Sequence, residues 1–188
     1  MSAAELQWIE SNGGPLLMLP RALLEFWDGT EPPEPHRSVR ATFRWSGGGP
    51  ATDYDRACDV SEWLGVLPVG TGEGLVLGGE PLSTAWCPPT HGDAGLLVRW
   101  EYAESDSAAA RWLAAVPAKL PWRWNARFAF DSEPLVLFDA AEPGLDPLGP
   151  RLEIPLPSGK YDIHTVQWQP DSVTSLMLHR FSWREAAT

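Results

Sequence analysis

Short runs of apolar residues bounded by Gly or Pro recur along the chain and predict buried β-strands joined by tight turns. Other stretches alternate apolar and polar residues with period two, which predicts strands with one buried and one solvated face. Val39, Ala41, Phe43 and Trp45 alternate with polar residues in this way. The predicted strands are 7–11, 16–19, 39–45, 66–69, 75–77, 96–102, 124–130, 135–138, 152–156, 161–169 and 175–183.

Apolar residues at helical spacing predict one clear α-helix, with Ser105 or Asp106 as its N-cap and Val116 near its end. A second short helix is predicted to begin at Pro20, because Pro is well tolerated at the first helical position. The pattern therefore predicts a mainly β, β-rich α+β fold with two short helices.

The 188 residues are long enough to bury roughly two-thirds of the unfolded surface, which favours a single domain over 1–188 with an ordered core of about 6–183. We expect an antiparallel sheet, a sandwich or a partly closed barrel. Three segments, 14–19, 73–77 and 133–138, each place Gly or Pro before a short aliphatic run. Such similarity is compatible with one structural unit used repeatedly around a core.

The stretch from 53 to 79 combines a polar beginning with two apolar runs on either side of a glycine-rich turn at 70–74. The turn lacks the Lys of a phosphate-binding loop and leads into a strand instead of a helix. We therefore interpret it as a β-hairpin turn and predict no nucleotide cofactor.

The formal net charge of −11 disfavours contact with nucleic acid or anionic lipid and favours a basic partner. No apolar run approaches the roughly 20 residues that cross a membrane. The first eleven residues do not have the basic and apolar regions of a signal peptide. With only two cysteines, Cys58 and Cys87, we expect reduced thiols and a cytoplasmic location.

One loop carries residues capable of metal or thiol chemistry. Cys87, His91 and Asp93 supply at most half of a zinc site, which Cys58 or a distant His would have to complete. A thiol nucleophile with a nearby base is a second interpretation. A proline-braced loop is the preferred one, so we predict no metal, no cofactor and no enzymatic activity.

The acidic residues of the central stretch are expected to lie in an extended, solvated segment. They fit a charged loop flank, a pair of acids in a glycosidase-like cleft, or a contact surface for a basic partner. The contact surface is the functional interpretation we prefer, and reversal of its three aspartates to Lys is expected to weaken binding without unfolding. The predicted contact residues are Asp53, Tyr54, Asp55, Asp59, Glu62 and Trp63.

The eleven Trp residues allow an alternative function, a small-molecule or carbohydrate-binding β module. Trp27, Trp63 and Trp86 lie near element ends and would line its cleft. By contrast, the apolar phase of strands and helices predicts core positions for Trp45, Trp100, Trp112 and Trp124.

Several blocks together resemble the immunity protein 21 family of bacterial polymorphic toxin systems. The likeness runs from about 8 to 181 and is carried by Trp8 to Leu17 (WIESNGGPLL), Asp53 to Cys58 (DYDRAC), Trp63 to Gly65, Pro68 to Gly70, Leu152 to Pro157 (LEIPLP) and Gly159 to Tyr161.

The resemblance implies a cytoplasmic, mainly β protein made beside a toxin. Such a protein is not an enzyme; it binds the toxin domain and blocks its active site or substrate surface. The acidic balance is compatible with a toxin that has a basic surface, since opposite charges speed association.

Overall fold

The computed structural model describes residues 6–33, 37–45, 47–89, 95–113, 115–117, 119–145 and 148–184. Within these ranges the chain forms eleven strands, two α-helices and one 3-10 helix. The strands are β1 (Trp8–Ile9), β2 (Leu16–Pro20), β3 (Gly65–Val69), β4 (Gly72–Leu77), β5 (Ser83–Cys87), β6 (Gly95–Tyr102), β7 (Arg123–Phe130), β8 (Leu135–Asp139), β9 (Leu152–Ile154), β10 (Gly159–Asp171) and β11 (Thr174–Trp183). The helices are the 3-10 helix (Arg21–Phe26), α1 (Asp53–Cys58) and α2 (Asp106–Leu113).

The strands form two separate antiparallel sheets. One has six strands in the order β1-β5-β6-β11-β10-β7, and the other has five in the order β3-β4-β2-β8-β9. The prediction of a mainly β fold is confirmed. Of the architectures left open, a sandwich agrees with the structure, since no closed barrel forms within the described ranges.

The main core lies between the sheets. In β2, Leu16 and Met18 belong to this inner cluster, whereas Leu17 and Leu19 belong to a second cluster on the other side of the same sheet. Since successive strand residues point to opposite faces, the run Leu-Leu-Met-Leu shows that the strand is covered on both faces.

Short helices supply these outer covers. Residues of the 3-10 helix and α1 pack with the outer face of the five-stranded sheet, and Ala109 of α2 packs on the six-stranded sheet. The predicted helix after Pro20 is found as the 3-10 helix. The other predicted helix is α2, which ends at Leu113, before the predicted Val116. The helix α1 was not predicted.

The three similar segments noted in the sequence correspond to β2, β4 and β8. These strands are neighbours in the five-stranded sheet, where β2 pairs with both of the others. All three have residues buried on both faces. Their shared position in the sheet accounts for their similar short aliphatic runs.

The predicted hairpin turn is confirmed between β3 and β4. Gly70 has a φ of +55°, and a Cβ built there would lie 2.5 Å from the Phe26 ring. A glycine is therefore required at this position by both backbone conformation and space. The hairpin lies at one edge of the five-stranded sheet.

Two predictions about aromatic positions were wrong. Residues 39–45 form no strand, and Trp45 is 64% exposed. Trp124 lies in a strand as predicted, but it is 58% exposed instead of buried. Alternation places such a side chain on one face of its strand, but burial also requires another layer to cover that face.

Candidate functional site

The polar stretch that begins at Asp53 folds as helix α1 because it carries a capping box. The Thr52 hydroxyl accepts a hydrogen bond from the Asp55 amide at 3.2 Å, and the Asp55 carboxylate accepts one from the Thr52 amide at 2.8 Å. These bonds satisfy amides that the first helical turn leaves without intrahelical acceptors. The expectation of an extended segment was therefore wrong.

The same helix buries its first acidic residues. Asp53 and Asp55 are both 0% exposed, and Tyr54 is also buried. The expectation that the two aspartates point to solvent was wrong. Lysine at either position would place a cation inside the protein, so these reversals are expected to unfold it.

The carboxylates of α1 and its C-cap hold residues 37–45, hereafter the clasped loop. Asp55 accepts a hydrogen bond from the Trp45 amide at 2.7 Å. Asp59 accepts bonds from the Thr42 amide at 2.5 Å, the Thr42 hydroxyl, and the Phe43 amide at 2.6 Å. Side-chain oxygens thus satisfy backbone donors that a sheet ladder would otherwise engage, which explains why this alternating segment is not a strand.

Asp53 anchors the other end of the clasped loop. Its carboxylate forms ion pairs with Arg37 and, at 2.9 Å, with Arg56. It also accepts a hydrogen bond from the Asp28 amide at 2.9 Å. Arg37 additionally donates to the Phe26 carbonyl at 2.6 Å. This buried carboxylate therefore connects the loop, α1 and the end of the 3-10 helix.

Hydrogen bonds from the clasped loop and from Thr52 keep the carboxylates of Asp55 and Asp59 ionised. Desolvation by burial acts to raise the pKa of Asp55, but hydrogen bonds from Thr52 and Trp45 outweigh it and lower that pKa. Desolvation likewise opposes the bonds from Thr42 and Phe43, which still lower the pKa of Asp59. Ionised carboxylates are the stronger acceptors for the loop amides.

The thiol and phenol groups of α1 show no activation for catalysis. Burial raises the pKa of the Tyr54 hydroxyl well above its usual value, and burial also raises the pKa of the Cys58 thiol. A nucleophile or general base needs the opposite shift. The aspartates are occupied by structural bonds, so they do not form a glycosidase-like acid pair.

The clasped loop displays aromatic side chains at the surface. Phe43 is 42% exposed, and Trp45 packs one edge against Tyr54, with 6.1 Å between ring centroids. Trp63, four residues after Asp59, is also 42% exposed. Buried Arg99 donates to the Trp63 carbonyl at 3.4 Å, so it helps position this third aromatic residue.

An open cavity of about 450 Å³ lies between the clasped loop, α1 and the β3–β4 turn. Arg37, Arg40 and Arg56 line it together with Asp53. The guanidinium of Arg56 also lies over the Trp27 ring, 5.1 Å from the centroid, and donates to the Pro68 carbonyl at 2.7 Å.

The six predicted contact residues thus divide by exposure. Asp53, Tyr54 and Asp55 are buried, Asp59 is half-buried, and Glu62 and Trp63 are exposed. Sequence reasoning missed the exposed aromatic residues of the clasped loop. Thr52 with Asp55 three positions later is a capping-box pattern, and it was the sequence signal that could have indicated α1.

The structure does not favour the predicted alternatives. Cys87 is half-buried, and burial raises the pKa of its thiol, while His91 and Asp93 lie outside the described residues. Trp27 and Trp86 are buried in different core clusters, so they form no sugar-binding cleft with Trp63. In the described part of the chain, no three His, Cys, Asp or Glu residues are placed to hold a metal.

Comparison with known protein families gave a match. The model of the immunity protein 21 family matches residues 7–174, which is most of the chain. No curated protein and no solved structure matches significantly. Among the helices of the described ranges, none has the length and hydropathy needed to span a membrane.

Proposed function

The chain belongs to the immunity protein 21 family, and we propose that it protects its producer by binding a cognate bacterial toxin domain. The family match over residues 7–174 is the observation that carries this proposal. The protein acts in the cytoplasm as a stoichiometric, non-enzymatic inhibitor. It covers the active site or the substrate surface of the toxin.

We place the contact surface on residues around α1. It consists of exposed Phe43 and Trp45 on the clasped loop, half-buried Asp59 at the C-cap of α1, and exposed Glu62 and Trp63 beyond it. Aromatic residues supply much of the binding energy of protein interfaces, because they bury large areas with few rotatable bonds. The buried residues of the predicted set, Asp53, Tyr54 and Asp55, support this surface from beneath.

Preorganisation supports the choice of the clasped loop. Asp55 and Asp59 fix the amides of Trp45, Thr42 and Phe43 in the free protein. The ordering entropy of the loop is therefore spent during folding instead of during binding. A partner meets an aromatic surface whose backbone is already held, which favours the slow dissociation that an inhibitor of a lethal protein needs.

The negative charge of the chain supports the proposal of a partner with a basic surface. The chain has a net charge of −11, and Glu62 within the proposed surface is exposed. A toxin domain with a basic surface would be steered towards this protein, which raises the association rate most strongly at low salt.

The proposal is tested with the toxin domain encoded beside this gene. That domain is expressed in a bacterial host with and without this protein, and growth and co-purification are measured. We expect growth to be restored only by the cognate pair, together with a one-to-one complex. A toxin with proven activity that kills equally in both hosts and does not co-purify would contradict the proposed function. An unrelated toxin serves as the specificity control.

A further inference from the structure

We propose that the cavity beside the clasped loop is a receptor for a carboxylate side chain of the protein partner. The inference rests on the proposed function and adds to it the chemical group that the pocket accepts. It concerns the cavity lined by Arg37, Arg40 and Arg56, with Asp53 at its wall.

The charge of the lining is opposite to that of the whole chain. Three arginines against one aspartate give the lining residues a net charge of +2, in a protein whose net charge is −11. Asp28 pairs with Arg37 at 2.9 Å and offsets part of this excess. Arg40 is exposed and forms no ion pair or hydrogen bond with any described residue. The cavity therefore keeps a cation in excess, which favours an anionic group and repels a cationic one.

Hydrogen-bond donors in the cavity wall remain unsatisfied. The Nε atoms of Arg37 and Arg56 are buried, and neither has a hydrogen-bond acceptor within the described structure. Their terminal nitrogens are already used by Asp53 and by the carbonyls of Phe26 and Pro68. Both guanidinium groups are thereby held in the cavity wall, where their charge adds to the attraction that exposed Arg40 exerts on an anion.

The volume of the cavity and the residues of its walls favour an acidic side chain over a bare ion. The volume of about 450 Å³ lies within the roughly 300–1,000 Å³ range of small-molecule sites, so a whole acidic side chain has room to enter. Val39 and Pro68 provide apolar surface for its methylene groups. Arginine matches a carboxylate with paired, parallel hydrogen bonds.

The position of the cavity links it to the proposed contact surface. Val39 lines the cavity, and Phe43 follows four residues later on the same clasped loop. A partner that covers the exposed aromatic residues would therefore bring its own side chains close to the cavity. An Asp or Glu at that point would be held by Arg40 in particular.

The test uses succinate as the carboxylate probe, followed through the arginine Nε–Hε signals of the intact protein by NMR. We expect saturable shifts of the Arg37 and Arg56 signals. Arg40→Gln is expected to weaken succinate binding about tenfold, or about 1.4 kcal/mol. Arg111→Gln, which removes an exposed arginine from α2, is the matched control and is expected to leave the affinity unchanged.

Neutral succinamide and inorganic phosphate complete the experiment. An equal response to succinamide, no saturable response to succinate, or an unchanged affinity in Arg40→Gln would overturn the proposal. Phosphate binding without succinate binding would also overturn it, because the site would then select a different anion. Succinate binding upholds the carboxylate site whether or not phosphate competes.

The titration needs no toxin, so its failure is separable from failure of the proposed function. If succinate binds but Arg40→Gln protects cells and binds the toxin as well as wild type, the cavity does not receive a group of the partner. If succinate fails to bind while wild type protects cells, the carboxylate receptor is wrong and the immunity function stands.

Discussion

At the residue scale, Asp55 shows how one carboxylate supports both a helix and a loop. One carboxylate oxygen accepts a hydrogen bond from the Thr52 amide at the start of α1. The other accepts a hydrogen bond from the Trp45 amide at the end of the clasped loop. The side chain is 0% exposed, so water cannot replace either bond. Removal of this carboxylate leaves two backbone donors with no acceptor.

The first prediction follows from these two bonds. Asp55→Ala is expected to lower the free energy of unfolding by about 2–3 kcal/mol, combining a lost cap with unsatisfied buried amides. Urea denaturation followed by circular dichroism measures the change. Glu62→Ala, which removes an exposed carboxylate, is expected to stay within about 0.5 kcal/mol of wild type. Equal losses in both variants would show that Asp55 has no special structural role.

His179 gives a pH-dependent prediction. Desolvation by complete burial, followed by the nearby Arg99 charge, lowers the pKa of His179 well below its usual 6.5. The unfolded chain then binds a proton below about pH 6.5 that the folded protein does not bind. The stabilisation that neutral His179 contributes is therefore fully present above that pH. Below it, the free energy of unfolding falls as the pH decreases, by at most about 1.4 kcal/mol per pH unit.

The measurement compares unfolding free energies of wild type and His179→Gln between pH 7 and pH 5. The variant is expected to lose the slope that His179 contributes, even if it is less stable throughout. Asp55 and Asp59, whose pKa values are lowered, affect stability in a more acidic pH range. Their stabilisation is present above about pH 4 and is lost as the pH falls below it. Identical slopes for both proteins down to pH 5 would refute the role of His179.

At the element scale, the β3–β4 hairpin depends on the residue at its turn. Gly70 combines a positive φ with close contact to Phe26 of the 3-10 helix. The turn therefore fixes both the register of the hairpin and its approach to a neighbouring element. The hairpin also borders the cavity, because Pro68 and Gly70 line it.

Gly70→Ala is expected to destabilise the protein by more than about 2 kcal/mol, because left-handed backbone costs about 1–2 kcal/mol and the new methyl group meets the Phe26 ring. Gly48→Ala is the matched control, since a Cβ at Gly48 meets nothing within 4 Å. Thermal and urea unfolding of both variants give the comparison. A Gly70→Ala protein as stable as Gly48→Ala would contradict the close packing of this turn.

At the scale of the whole molecule, the sandwich has helical covers on both outer faces, but aromatic residues remain exposed on different sides. Phe43 and Trp45 lie on the clasped loop, which α1 supports next to the five-stranded sheet. Trp124 lies on β7 at the edge of the six-stranded sheet. The proposed function selects the first group as the contact surface, and this selection is open to direct measurement.

The double variant Phe43→Ala, Trp45→Ala is expected to weaken toxin binding at least about 30-fold, or about 2 kcal/mol, since aromatic anchors dominate interface energies. Calorimetric titration of the toxin domain measures the affinity, and circular dichroism verifies folding. Trp124→Ala removes a similarly exposed indole from the six-stranded sheet; this control is expected to bind as wild type does. The opposite ranking would move the interface to the six-stranded sheet.

Charge steering gives a further prediction for the complex. Glu62→Lys is expected to slow association with a basic toxin several-fold at low salt and less at high salt, because screening weakens long-range attraction. Glu104→Lys makes the same change at another exposed position and serves as the control. Association rates of both variants, measured by stopped flow as a function of ionic strength, test this prediction. Equal rates for the two variants at all salt concentrations would place Glu62 outside the contact region.

Local sequence patterns predicted the strands whose apolar runs end at Gly or Pro, the β3–β4 turn and the start of α2. These features depend on residues that are close in the chain, so local patterns are sufficient to predict them. The long apolar run of β2 also indicated burial, and its likeness to β4 and β8 reflected a shared position in one sheet. Net charge likewise followed directly from composition.

The conformation of residues 39–45, by contrast, depends on tertiary contacts. Alternation shows which side chains share a face, but it does not show which acceptors the backbone amides will find. Here the acceptors are Asp55 and Asp59, which lie 10 and 16 residues along the chain from the amides of Trp45 and Phe43 that they bind. These two carboxylates bind the loop, and the loop exposes the aromatic side chains of Phe43 and Trp45.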